Sequence, residues 1–127
     1  MDTDLDEIWK ELIVCILAVN QYSLEKAYGL SERLREQGLL SPANLAAFTV
    51  PEIAGKLRKS GYDRGAYLTH LIAERLAALG AFIGSTGVEE CEALLKTKDK
   101  TSISRVLLGV HGIGPVVLRN FFSLRES

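Results

Sequence analysis

Ile103-Ser104-Arg105-Val106-Leu107-Leu108-Gly109-Val110-His111-Gly112-Ile113-Gly114-Pro115-Val116-Val117-Leu118-Arg119-Asn120-Phe121-Phe122 holds two apolar-periodic segments on either side of a glycine-rich break. The spacing predicts a helix ending near Leu108, a tight turn through Val110 and Gly114, and a second helix opening at Pro115. Proline suits that first position because its missing N–H would have no helical partner there anyway. Gly112 and Gly114 lack Cβ atoms, so the turn can be tight and a second backbone can come close. Ile113, between them, is expected to tuck under the turn as its apolar anchor. The N–H groups of the turn and of the second helix's first turn then point outward together, where the helix dipole adds to their pull on an anion. The residues of such a site are Val110, His111, Gly112, Ile113, Gly114, Pro115 and Val116, with Arg119, Lys100 and Arg105 as flanking cations. An ordinary corner between two helices, its glycines serving packing alone, is the competing reading.

Working outward, apolar residues recur at helical spacing throughout and no β-branched alternation marks a strand, so the fold class is all-α. From Leu5 to Val19, the residues Ile8, Leu12, Cys15 and Val19 share one face, and the near-continuous apolar run after Glu11 predicts a helix buried on most sides. Ser23 reads as the N-cap of a second helix to about Gln37, which Gly38 ends. Ser41-Pro42 opens a short helix to Phe48. Thr49-Val50-Pro51-Glu52 is a capping box for a helix to about Lys59, ended by Gly61. A long amphipathic helix is expected from about Arg64 to Phe82, its spacing carried by Leu68, Leu71, Ile72, Arg75, Leu76 and Leu79, with Gly80 and Gly84 marking its end. Thr86-Gly87-Val88-Glu89 reads as another capping box for a helix to Leu95, and Lys96 to Lys100 as a polar loop. No repeat or long linker interrupts the chain, so residues 1–127 read as one domain.

The composition, 47% hydrophobic and 24% charged over 127 residues, is that of a folded globular chain. The longest apolar run, Leu12 to Val19, falls short of the roughly 18–20 residues that cross a bilayer, and no membrane association is expected. The expected location is cytoplasmic. Cys15 and Cys91 lie in apolar helical segments without CxxC spacing and read as buried free thiols. Two cysteines cannot ligate an iron–sulfur cluster, and His70 and His111 fit no familiar zinc spacing, so no side-chain metal site is expected. Net charge is only −1, but it is unevenly placed. Residues 93–125 carry Lys96, Lys98, Lys100, Arg105, Arg119 and Arg125 against Asp99 alone, six cations against one acid, and such asymmetry hints at a polyanion-facing end.

Three segments in order resemble the helix-hairpin-helix DNA glycosylase superfamily, typified by endonuclease III. Glu11-Leu12-Ile13-Val14-Cys15-Ile16-Leu17-Ala18-Val19-Asn20 resembles its first barrel helix and following loop. Gly38 to Leu57, with Ser60-Gly61-Tyr62 and Ala66-Tyr67-Leu68, resembles its middle helices. Leu107 through Phe122 resembles its hairpin. The resemblance implies a six-helix barrel packed against DNA, a hairpin gripping one strand, and a monovalent cation, Na+ or K+, at hairpin carbonyls. It also implies a wedge that fills the stack behind a flipped base, at Asn20, Gln21 and Tyr22. For Tyr22 a half-buried loop aromatic is the competing reading.

Departures from the pattern bear on chemistry. Val116 stands where the family's lyases carry a nucleophilic Lys, and Gly65 where many members carry Lys. Within the sequence to Ser127, only Glu126 follows, too early to match the family's catalytic Asp. The resemblance therefore implies a DNA-binding module without catalytic residues of its own. Two alternatives stand beside it: a DNA glycosylase or lyase of base excision repair with relocated or partner-supplied catalytic residues, and an assembly subunit using the hairpin for protein contacts. Val116, Val117, Leu118, Phe121, Phe122 and Leu124 form an apolar C-terminal helix, where a protein partner or second copy is expected. The competing reading folds the N-terminal segment back over these residues, with Trp9 as the lid.

Overall fold

A helical stretch with apolar residues on nearly every face has little to give to water and must lie inside. The first helix does so. The computed structural model describes residues 3–19, 21–97 and 99–126, with side chains from residue 7 onward. In α1 (Thr3–Leu17) every residue from Ile8 to Leu17 is buried, including Lys10 and Glu11. Lys10 is satisfied by Glu7 at 2.8 Å and lies 4.9 Å over the Tyr28 ring. Among the described residues all regular elements are helices and no strand is formed, so the fold is all-α.

The next helical stretch breaks where one helix is expected. α2 (Leu24–Gly29) starts on the Ser23 cap, and α3 (Ser31–Glu36) follows across Leu30. Gly29 is a weak helix former, and the Ser31 hydroxyl donates to the Tyr28 carbonyl in competition with the helical ladder. Gly38, at φ +76°, ends α3 in a Schellman arrangement, with Leu39 N–H donating to Leu34 and Gly38 N–H to Arg35. α4 (Pro42–Ala47) opens on Ser41, and α5 (Val50–Lys59) on the reciprocal Thr49–Glu52 capping box. The Thr49 N–H holds the Glu52 carboxyl below its ordinary range.

α6 (Gly65–Thr86) runs past the stop expected at Phe82. Its glycines are there for contact. A Cβ on Gly80 would meet the Ala46 nitrogen at 2.6 Å, because α4 crosses with its backbone against α6. Mean hydropathy in this 22-residue helix reaches 1.2, enough by length and composition for a bilayer span, though its buried side faces α4 and α5. α7 (Val88–Lys96) starts at Gly87, φ +111°, with no side-chain cap. Thr86 is the last residue of α6, and the capping box expected there is not formed. α8 (Lys100–Leu107) is capped by Asp99, whose carboxylate accepts from Ser102 N–H at 3.2 Å, and α9 (Pro115–Glu126) completes the set.

One buried apolar cluster draws on every one of these helices. α1 packs on α2, α6, α7 and α9. Trp9 is not a lid over the C-terminal aromatics. It lies among Phe82, Cys91, Leu94 and Leu107, and its Nε1 donates to Glu92 at 2.9 Å. Phe121 is buried, while Phe122 and Leu124 are partly buried.

Candidate functional site

The connection between α8 and α9 folds as a tight turn closed by local hydrogen bonds, Val110 N–H to Leu107 at 2.9 Å and Ile113 N–H to Val110 at 3.1 Å. Val110 and Ile113 point into the core, Ile113 as the expected anchor. His111, Pro115, Val116 and Arg119 are exposed, and Val117 and Leu118 are buried. Leu108 and Val116, about half exposed, flank the turn on its outer side. The first turn of α9 carries no acidic residue to occupy its N–H end.

The two glycines do different work. Gly112 sits at φ +95°, and a Cβ there would meet Cγ, Cδ and Cβ of Arg75 at 2.5–2.8 Å. Its missing side chain makes room for α6, which corrects the expectation that both glycines serve an incoming backbone. At Gly114 a Cβ would meet nothing within 4 Å, so no neighbour within the described chain requires the glycine.

Facing the turn is the loop that leaves α1. Two donors, one buried and one half-buried, tie it down. Tyr62 Oη donates to the Leu17 carbonyl at 2.7 Å, and Arg64 Nη1 to the Val19 carbonyl at 2.6 Å. Burial pushes the Tyr62 hydroxyl's pKa up, so it stays a donor across the physiological range. Tyr22 is half-buried, edge-on to Tyr62 at 4.9 Å with the Arg64 guanidinium 5.2 Å over its ring. Gln21 is exposed and held at φ +70°, a left-handed conformation that an ordinary residue keeps only when its surroundings impose it. Asn20, the remaining wedge candidate, lies outside the described residues.

Between loop and turn lies a cleft of about 490 Å³, lined by Val19, Gln21, Arg75, Ile113, Gly114 and Val116 among others. The Gln21 and hairpin segments singled out in the sequence thus meet in one place, although more than ninety positions separate Gln21 from Gly112. No protein-family model, curated protein or solved structure matches the chain. Geometry and chemistry alone therefore argue the site.

The C-terminal cations are less available than their number suggests. Lys100 pairs with Glu126 and stacks over Phe122, Arg125 pairs with Glu11 at 3.4 Å, and Arg105 lies within electrostatic reach of Asp99. Arg119 alone of the candidate cations is exposed with no such partner among the described residues. Lys98 lies outside them. The cation that does enter the cleft, Arg75, was not among the candidates. Its signal was its position: an arginine on the apolar stripe of a long helix has a reason to be there.

Elsewhere, His70 is exposed and bonded to Glu74 at 3.0 Å. Cys15 and Cys91 are buried free thiols, the first pushed up to about 12 by burial and so inert as a nucleophile at neutral pH. Gly65 has φ +88° and donates its N–H to Asp63, a backbone that a lysine at that position would strain. No group of three His, Cys, Asp or Glu side chains converges among the described residues.

Proposed function

We propose that this chain is a nucleic-acid-binding module of the helix-hairpin-helix type, related in architecture to the six-helix-barrel DNA glycosylases. It grips a DNA phosphate backbone at the turn between α8 and α9 and performs no base excision of its own. The observation that carries the reading is Gly114. It precedes Pro115 at the N-terminal end of a twelve-residue helix, with open space where a side chain would stand. Amide donors at such an end attract phosphate, and only glycine leaves the approach clear. The exposed Leu108 and Val116 on the flanks suit the apolar faces of sugars. Gln21, exposed on the opposite wall of the cleft, suits the space behind an unstacked base. A hydrocarbon at Val116 offers no lyase nucleophile. A Na+ or K+ ion at the turn's carbonyls belongs to the same reading.

Duplex, single-stranded and abasic DNA, titrated across a range of salt, test it. Binding should weaken steeply with salt, as counterion release requires. Gly114→Val should lower affinity by about 1.5–3 kcal/mol, the worth of hydrogen bonds to a charged group, with helix content unchanged. Gly112 is the poorer probe, because any side chain there displaces Arg75. Wild-type protein that binds none of the three DNAs in a salt-sensitive way would defeat the reading.

A further inference from the structure

Arg75 is held where a structural arginine has little to gain. Its aliphatic stem lies against Gly112 so closely that no other residue fits there, which fixes the side chain along the wall of the cleft. Its Nε is fully buried and has no hydrogen-bond partner. No carboxylate lines the cleft and none pairs with Arg75 among the described residues. The neighbouring cation is committed, since Arg64 donates to the Val19 carbonyl. That nitrogen is closed to solvent, so the terminal guanidinium nitrogens, which have no hydrogen-bond or ion-pair partner among the described residues, are the donors that can meet a ligand in the cleft.

We propose that Arg75 holds a phosphate group in the cleft between Ala18, Val19 and Gln21 on one side and the turn from Gly112 to Val116 on the other, as a second grip inside the hairpin site. The inference rests on the nucleic-acid reading above for the source of that phosphate, a backbone phosphodiester. The chemistry fits in three respects. A guanidinium fork matches two phosphate oxygens and remains charged at any relevant pH. The Tyr62 hydroxyl, close enough to feel the charge of Arg75, adds no competing negative charge because burial keeps it protonated. Apart from Gln21, the remaining side chains on the walls, Val19, Ile113 and Val116 among them, are apolar and suit the sugar on either side of a phosphodiester. Gly112 then acquires a functional reason: it lets a side chain from the middle of α6 reach a site built by α9.

The test compares wild type with Arg75→Met, which keeps a stem on Gly112 and removes the charge, and with Arg75→Lys, which keeps charge without the fork. Short-duplex DNA affinity is measured against salt, and thermal stabilisation by inorganic phosphate against chloride at equal ionic strength. Arg75→Met should bind DNA about tenfold or more weakly, with the log–log salt slope reduced by about one contact. It should also lose any stabilisation by phosphate. Arg75→Lys should keep the slope and bind more weakly than wild type, and it carries the test alone if circular dichroism finds Arg75→Met unfolded. Equal DNA affinity and slope in wild type and variants would overturn the proposal while leaving the hairpin reading intact. Phosphate stabilisation of wild type alone, with no DNA binding by any form, would sustain the Arg75 phosphate site and defeat the nucleic-acid reading.

Discussion

Glu11 lies in the middle of α1 with 8% of its surface exposed, and one of its carboxylate oxygens has no partner. Arg125 reaches the other at 3.4 Å, long for a charge-assisted bond. Loss of water therefore outweighs the neighbouring guanidinium and raises the carboxyl's pKa; Glu7 adds to the rise, while Arg125 and Lys10 oppose it. A folded-state pKa above the unfolded one means that the folded protein holds this proton more tightly. The resulting stability is fully present below the ordinary carboxylate range and lost as pH rises through the raised value. At neutral pH the ionised group is thus a cost, and Glu11→Gln should gain on the order of 1 kcal/mol. Denaturant titrations at acid and neutral pH check this, because the gain should grow with pH; a variant less stable at both would refute it. Nothing in the sequence marked Glu11 as buried beyond its place before an apolar run. The same blindness applied to Gly112, since a glycine kept clear for a ligand and one kept clear for a distant side chain are identical in sequence. Arg75, some forty residues away, distinguishes them.

At the scale of elements, local chemistry was legible wherever it was self-contained. The Thr49–Glu52 box, the Ser41-Pro42 start and Pro115 at the head of α9 all need only neighbours in sequence, and all formed. The Asp99 cap is equally local but was hidden in a stretch read as a polar loop. What sequence could not reveal was tertiary. Gly80 reads as a helix stop until α4 is laid against it, after which it becomes the point of closest approach. That gives an unusual sign to a familiar substitution. Gly→Ala in a helix interior ordinarily gains about 1 kcal/mol. At Gly80 the new methyl would stand 2.6–2.7 Å from the backbone of Ala46 and Leu45, which cannot yield as a flexible side chain can. Overpacking of this kind costs about 1–3 kcal/mol, so Gly80→Ala should be net destabilising. Gly84, with nothing within 4 Å, is the control: Gly84→Ala should follow helix propensity and stabilise. Paired thermal melts decide it, and a stabilised Gly80→Ala would mean that α4 and α6 are not in such close contact.

For the whole molecule, the decisive fact is the position of α1. It touches α2, α6, α7 and α9, while α4 and α5 lean on α6. The loop it leads into forms one wall of the cleft, and α9, which it supports, forms part of the other. Site and core are therefore mechanically one, and loss of α1 packing should open both together. Ile13, fully buried within α1, is the residue to remove. Ile13→Ala deletes apolar volume where collapse is blocked from every side, for an expected loss of about 2–5 kcal/mol. How that loss is distributed is the sharper measurement. The chain has a single tryptophan, Trp9, and it reports on the seam with α6, α7 and α8. Far-UV circular dichroism reports on all the helices, α4 and α5 included. If α1 binds the molecule into one cooperative unit, the two signals should unfold at the same denaturant midpoint in wild type, and shift together in Ile13→Ala. Fluorescence lost at lower denaturant than ellipticity would mean that α2–α6 stand without α1, and the cleft would then be a junction between two separately stable pieces.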